Sequence, residues 1–170
     1  MFKNISVGRL AATSVAALLT FTAPTVAASP AMVAEIDVGV ALSSLTNPDA
    51  ATRFANLQGD LESAIATRLA DRIDVKDGVK INVDISEAEL SNSFTEAFNL
   101  ADTRLVGIVQ VIGTAENPVS ARYDLTVDVN GAKMFMPEGT IIETLPADSA
   151  VYYDAMIAAF ADAVVIKLDE

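Results

Sequence analysis

The chain contains no cysteine, no histidine and no tryptophan among its 170 residues. Without cysteine it forms no disulfide, so the hydrophobic core alone must stabilise the fold. Structural zinc sites and c-type haem attachment are excluded, because both depend on cysteine and histidine. Ser-His-Asp and Cys-His catalytic groups are excluded for the same reason. Most familiar hydrolase mechanisms are therefore closed to this chain, and we expect no cofactor.

Basic residues are also few. Eleven Lys and Arg stand against 23 Asp and Glu, which gives a net charge of −12 at pH 7. A chain this acidic lacks the basic surface that nucleic acid requires and is repelled by anionic lipid. Cations, basic protein surfaces and neutral ligands are the partners that fit it. The alternative explanation needs no partner, because acidity also keeps a protein soluble.

Residues 1–28 have the pattern of an export signal. Lys3 and Arg9 form a short positive segment, residues 10–21 are apolar, and small side chains lead up to Ala28. We therefore expect a signal peptide that is cleaved after Ala28 and a periplasmic location. An uncleaved membrane anchor is the alternative, but the apolar run is shorter than the roughly 20 residues that cross a bilayer.

The remaining residues, 29–170, suit a single α+β domain. Hydrophobic side chains alternate with polar ones in several stretches, which is typical of half-buried strands. Residues 104–113 are instead apolar on both faces, as in a central strand that is covered on both sides or lies at an interface. Asn130-Gly131 is a favoured tight-turn pair. Strands are predicted at 34–42, 79–86, 104–113 and 119–129, with short strands at 132–136 and 141–144.

Two helices are predicted. Asn47 and Pro48 form a good helix start, and apolar residues then recur at spacings of three and four up to Ile73. The second helix begins at 146–148 and runs to about Lys167, with few charged residues. The apolar stripe of the first helix consists of Phe54, Leu57, Leu61, Ile65, Leu69 and Ile73.

This order of elements predicts an α+β two-layer sandwich, in which two helices pack on one face of a mainly antiparallel sheet of four or five strands. The opposite face of the sheet would be polar. It would carry Glu35, Asp37, Lys80, Asn82, Asp84, Arg122, Asp124, Thr126 and Asp128.

The carboxylates of that polar face are a first candidate site. Asp124 and Asp128 share a face, and Asp84 could lie on a neighbouring strand. Such a group could bind calcium or act as the carboxylate pair of a glycosidase, but a solvated sheet face predicts the same pattern. The segment 126–131 resembles part of an EF-hand loop. It lacks the first Asp ligand and has Pro137 where the loop needs a bidentate Glu, so we reject that interpretation.

A second candidate is the segment 87–102, whose apolar side chains are interspersed with polar ones. It could form a lid over a lipid-like ligand, an exposed docking patch, or part of the core. Its residues Leu90, Phe94, Phe98 and Leu100 are the candidate interaction surface.

These features favour a non-catalytic, exported accessory protein that binds another protein of the cell envelope. The order of elements behind an export signal is similar to that of small envelope accessory proteins with a two-helix, one-sheet sandwich. The alternative is a carrier or sensor of a small apolar ligand held between helices and sheet. An enzymatic role would need a carboxylate pair in a cleft. We predict no catalytic, metal-binding or cofactor-binding residue, no binding of nucleic acid, and no membrane span after signal cleavage.

Overall fold

The computed structural model describes residues 30–41, 48–86, 104–115, 118, 120–145 and 149–170. Within them the chain forms four strands, four α-helices and one 3₁₀ turn. The strands are β1 (Val33–Gly39), β2 (Val79–Ile85), β3 (Arg104–Ile112) and β4 (Ser120–Asp128). The helices are α1 (Pro48–Arg53), α2 (Leu57–Arg68), α3 (Val129–Lys133) and α4 (Ala150–Leu168), and the 3₁₀ turn is Ile142–Thr144.

The four strands form one sheet in the order β1-β2-β3-β4. β2, β3 and β4 are antiparallel neighbours, whereas β1 runs parallel to β2. A parallel pair needs a crossover connection, and α1 and α2 lie in the connection between β1 and β2. The predicted α+β two-layer fold is confirmed, with a sheet that is mostly antiparallel.

The core fills the space between the sheet and the helices α2 and α4. Fully buried side chains come from both layers, among them Leu61 and Ile65 of α2, Ile81 of β2, Val109 of β3 and Phe160 of α4. Alternate residues of β2, β3 and β4 point toward this core, as the period-two pattern predicts, whereas β1 has a register shift between Val33 and Glu35. The opposite face of the sheet is called the outer face below.

The first helix is shorter than the prediction, which was wrong in treating 48–73 as continuous. The chain breaks between α1 and α2, and Asn56 stands at the N-cap of α2. α2 ends at Arg68, because the next residues turn to pair with β1. Ile73 forms a parallel bridge to Val33 and is 44% exposed instead of continuing the buried stripe.

The predicted hairpin at Asn130-Gly131 is also wrong, and no strand forms at 132–136. β4 leads directly into α3, for which Asp128 is the N-cap: its carboxylate accepts a hydrogen bond from the Gly131 backbone N–H at 2.9 Å. Val129 and Ala132 are buried. Capping and burial therefore favour a helical turn over an exposed edge strand.

The short strand predicted at 141–144 is wrong as well, since Ile142–Thr144 is a 3₁₀ turn. The Ile141 carbonyl accepts two hydrogen bonds from Thr144, from its backbone N–H at 3.1 Å and its hydroxyl at 2.8 Å. These local bonds use the groups that a strand would offer to a neighbour.

Arg72 connects both ends of the described chain to the turn after α2. Its guanidinium donates to the Ala31 carbonyl at 2.8 and 3.0 Å and to both carboxylate oxygens of Asp169 at 2.7 and 3.0 Å. Arg72 is only 9% exposed, so these bonds satisfy a charge that would otherwise be costly to bury.

Candidate functional site

The outer face of the sheet is the candidate site, because the helices pack on the other face. Strand register places its side chains in rows across the four strands. One row runs Gly39, Asp84, Ile108, Asp124, and the next runs Asp37, Asn82, Gln110, Arg122. Every member of the polar set predicted for this face lies on it: Glu35, Asp37, Lys80, Asn82, Asp84, Arg122, Asp124, Thr126 and Asp128.

An apolar strip runs along β3 through the middle of this face. It consists of Val106, Ile108 and Ile112, interrupted by Gln110. Val106 and Ile108 are half-buried and Ile112 is 40% exposed. The sequence predicted a strand that is apolar on both faces, and the helices that the structure describes pack on one of these faces.

Charged side chains border the apolar strip on both sides. In the central row, Asp84 and Asp124 flank Ile108, each one strand spacing away, so their Cα atoms are about 10 Å apart. Both aspartates are exposed, and neither forms a hydrogen bond or ion pair within the described part of the chain. By contrast, Glu35 and Lys80 pair with each other across β1 and β2.

These carboxylates do not form a metal site or an enclosed catalytic pair. No group of three or more Asp or Glu residues is arranged to hold a metal ion among the residues that the structure describes. Asp84 and Asp124 lie on an open face separated by Ile108, where nothing in that row excludes water. The arrangement suits recognition of cationic groups better than acid-base chemistry, which needs a protected cleft.

Asp128 is occupied by a structural role. The backbone N–H of Gly131 donates to its carboxylate and lowers the pKa of Asp128 below its ordinary value, and the Asn130 side chain adds a weaker bond at 3.4 Å. The segment 126–131 is thus the junction between β4 and α3.

A shallow, open depression of about 320 Å³ lies where β3 and β4 approach their connection. Its lining consists of Gln110, Val111, Ile112, Ser120, Ala121 and Arg122. It continues the outer face at one end of the apolar strip. Its openness suits contact with a protein surface better than enclosure of a small ligand.

Tyr153 has the most strongly shifted pKa of the described groups, a feature that no sequence pattern indicates. Burial and a 2.7 Å hydrogen bond from its hydroxyl to the Asp60 carboxylate both raise the pKa of Tyr153 well above its ordinary value. The Arg53 guanidinium lies over the ring, 5.3 Å from its centroid. This hydrogen bond joins α2, which carries Asp60, to α4, which carries Tyr153, so it is a tie between the two helices.

We expect the Tyr153–Asp60 bond to make stability fall at alkaline pH. The unfolded tyrosine ionises near pH 10, below the raised folded pKa. The stabilisation is therefore complete below pH 10 and is lost as pH rises toward the folded pKa. Tyr153→Phe should cost about 1 kcal/mol at neutral pH and weaken this alkaline loss, as measured by urea unfolding between pH 8 and 11.

Tyr123→Phe is the matched control, because the Tyr123 hydroxyl has no hydrogen-bond partner in the described part of the chain. It should keep the alkaline dependence of the wild type. If Tyr153→Phe and the wild type lost stability in parallel as pH rises, the assigned role of this bond would be wrong.

The candidate surface Leu90, Phe94, Phe98 and Leu100 lies outside the described residues, as does the rest of segment 87–102. None of the described helices is both long and apolar enough to cross a membrane.

Comparison of the chain with protein-family models, with curated proteins and with solved structures finds no match. The function of this chain must therefore be inferred from its own residues.

Proposed function

We propose that this protein is a non-catalytic, exported accessory protein that binds another protein of the cell envelope through the outer face of its sheet. The observation that carries this proposal is the apolar strip Val106, Ile108 and Ile112, bordered by the carboxylates of Asp84 and Asp124, which have no partner among the residues that the structure describes. The N-terminal sequence pattern is the basis for proposing export and an envelope location.

The chemistry of this face specifies the kind of partner. The apolar strip would be covered by aliphatic or aromatic side chains, while carboxylates on both sides would contact basic side chains. The net charge of −12 favours the same partner, because it attracts a basic surface over a distance. We therefore propose a basic segment whose apolar side chains alternate with lysine or arginine.

Packing of the core supports this proposal over a carrier of a small apolar ligand. Such a ligand would lie between the helices and the sheet. There, Leu61, Ile65, Ile81, Val109 and Phe160 are each at most 1% exposed, and they occupy the space between the layers. A carrier would instead need an enclosed apolar cavity.

Photo-crosslinking tests the proposed face with a closely matched control. A photoreactive amino acid replaces Ile112 on the outer face in one variant and Ile73 in another. The two isoleucines have similar exposure, 40% and 44%, but Ile73 lies beyond α2 and not on the outer face. In cells that produce the protein, we expect a discrete adduct with another protein from position 112 and none from position 73.

Asp84→Lys combined with Asp124→Lys should reduce the yield of that adduct about tenfold or more, because the lysines would repel a basic partner. Circular dichroism checks that these exposed substitutions leave the fold intact. Equal adducts from both positions, no adduct from position 112, or an adduct that contains only a second copy of this chain would contradict the proposed function.

A further inference from the structure

The two edge strands of the sheet, β1 and β4, differ in how far other described residues hydrogen-bond to their outer backbone groups. At the β1 edge, the backbone N–H of Val38 donates to the Glu62 carboxylate of α2 at 3.3 Å. Val33 donates to the Arg72 carbonyl at 2.8 Å and accepts from the Asp74 N–H at 2.9 Å. The chain's own residues thus occupy much of the β1 edge and protect it from pairing with another strand.

The β4 edge is long and open by comparison. Its nine residues pair with β3 on one side, and no described strand pairs with them on the other. The strand contains no proline, and the backbone groups on its outer edge, which have no partner in the described part of the chain, form a template for another strand. Its outer-face side chains are Ser120, Arg122, Asp124, Thr126 and Asp128.

We propose that two copies of this chain pair through their β4 strands, antiparallel, about a two-fold axis at Tyr123. The product is a continuous eight-stranded sheet with the helices of both copies on one side. In this register Arg122 lies opposite Asp124 of the partner subunit, and Asp124 lies opposite Arg122 of the partner subunit. Two opposite-charge pairs form, and neither side chain has a competing partner in the described residues.

Other registers are less favourable on charge. An axis at Arg122 places two arginines opposite each other, and an axis at Asp124 places two aspartates opposite each other. An axis at Thr126 places Asp124 opposite Asp128 of the partner subunit. Like charges directly opposite are destabilising. An axis at Leu125 would pair Arg122 with Asp128, but Asp128 already caps α3.

The position of the Tyr123 ring, on the face of the sheet that the helices cover, also supports an axis at Tyr123. The Tyr123 ring is half-buried and lies under the Lys167 ammonium group, which is 5.9 Å from the ring centroid. At the axis this ring faces its symmetry copy, and opposed aromatic side chains stabilise adjacent strands. Edge pairing leaves the apolar strip and Asp84 of both copies exposed, so the dimer is compatible with the proposed function, although Asp124 would contact Arg122 of the partner subunit. Sedimentation velocity tests the dimer and crosslinking from position 112 tests the proposed function, so either can fail without the other.

A charge swap tests the register. The protein produced from the full chain is studied by sedimentation velocity over a concentration series, and we expect a dimer that weakens with added salt. Arg122→Asp and Asp124→Arg should each weaken dimerisation about 30-fold or more, because each creates two like-charge contacts. The double variant restores opposite charges and should recover affinity to within about threefold of wild type.

Asp37→Arg is the matched control. Asp37 is an exposed aspartate on the same face, in the other edge strand, so this substitution makes the same charge change far from the axis. It should leave dimerisation unchanged. A wild type that stays monomeric at all concentrations, single variants that dimerise like wild type, or a double variant as weak as the singles would overturn the proposal.

A cysteine pair tests the position of the axis independently, since the chain has no thiol of its own. Opposed residues of antiparallel strands have Cα atoms about 5 Å apart, within reach of a disulfide. Tyr123→Cys should therefore form a disulfide-linked dimer under mild oxidation. Thr126→Cys should not, because its symmetry copy lies six residues along the strand, about 20 Å away. Equal crosslinking of the two variants, or none from Tyr123→Cys, would overturn the register.

Discussion

Replacing Gly78 with alanine should severely destabilise this protein. A Cβ at Gly78 would lie 2.5 Å from the backbone N of Ala34 and from the carbonyl carbon of Val33, and 2.6 Å from the carbonyl oxygen of Asp74. All three atoms belong to the backbone, so no side-chain rotation can relieve the clash. We expect a loss of about 3 kcal/mol or more, a large part of the stability of a typical domain.

The steric clash in Gly78→Ala should also affect the candidate site. Gly78 immediately precedes β2 and lies against the start of β1, where the Val79 N–H donates to the Met32 carbonyl at 2.8 Å. Moving β1 and the residue before β2 apart would disturb the parallel pairing that brings Glu35 and Asp37 onto the outer face. Gly78→Ala should therefore also weaken any binding that uses this side of the face.

Gly59→Ala is the control for Gly78→Ala. Gly59 lies in α2, and a Cβ there would meet nothing within 4 Å. Alanine at this position should stabilise the protein by about 0.5–1 kcal/mol, because it reduces the freedom of the unfolded chain and favours the helix. Urea unfolding of both variants provides the measurement. Equal stability of the two would show that Gly78 is not in close contact with β1.

Phe160→Ala is the second substitution for which we expect a large loss. Phe160 is fully buried in α4 and is the largest completely buried side chain of the described core. The tip of its ring lies 3.2 Å from where a Cβ of Gly107 would be, so the ring fits over a glycine in the central strand β3. Removal of the Phe160 ring leaves a cavity between α4 and the sheet and should lower the free energy of unfolding by about 3–5 kcal/mol.

Ile166→Ala serves as the comparison within the same helix. Ile166 is 54% exposed, so its truncation should change stability by about 0.5 kcal/mol or less. Both variants are measured by urea unfolding at neutral pH. A loss from Phe160→Ala no larger than that from Ile166→Ala would mean that α4 does not pack on β3 as described.

Much of the fold could be predicted from periodicity. Strict alternation in Val79–Ile85 and Ser120–Asp128 assigned each residue to a face, and register confirms those assignments. The apolar face of α2 was equally clear, since Leu57, Leu61 and Ile65 are all buried. These patterns are reliable because a residue's side of a strand or helix depends on local geometry alone.

The errors arose where distant parts of the chain compete for the same residues. Asn130-Gly131 has the composition of a hairpin turn, but capping by Asp128 and burial of Ala132 favour a helix. Ile73 continues a helical stripe, yet it pairs with Val33 instead. Gly78 lies at the turn before β2, where a close backbone approach and not a positive φ requires glycine, and that approach depends on the distant start of β1.

Sequence alone determined the absence of cysteine and histidine chemistry, the acidic charge, the class of fold and the polar character of one sheet face. These features follow from the sequence because composition and periodicity are properties of the chain itself. Only the tertiary structure decided the strand order, the parallel pairing of β1, the carboxylates flanking Ile108, and the contrast between a protected β1 edge and an open β4 edge. Those features depend on which distant segments meet, and side-chain packing between layers selects among the arrangements that local patterns permit.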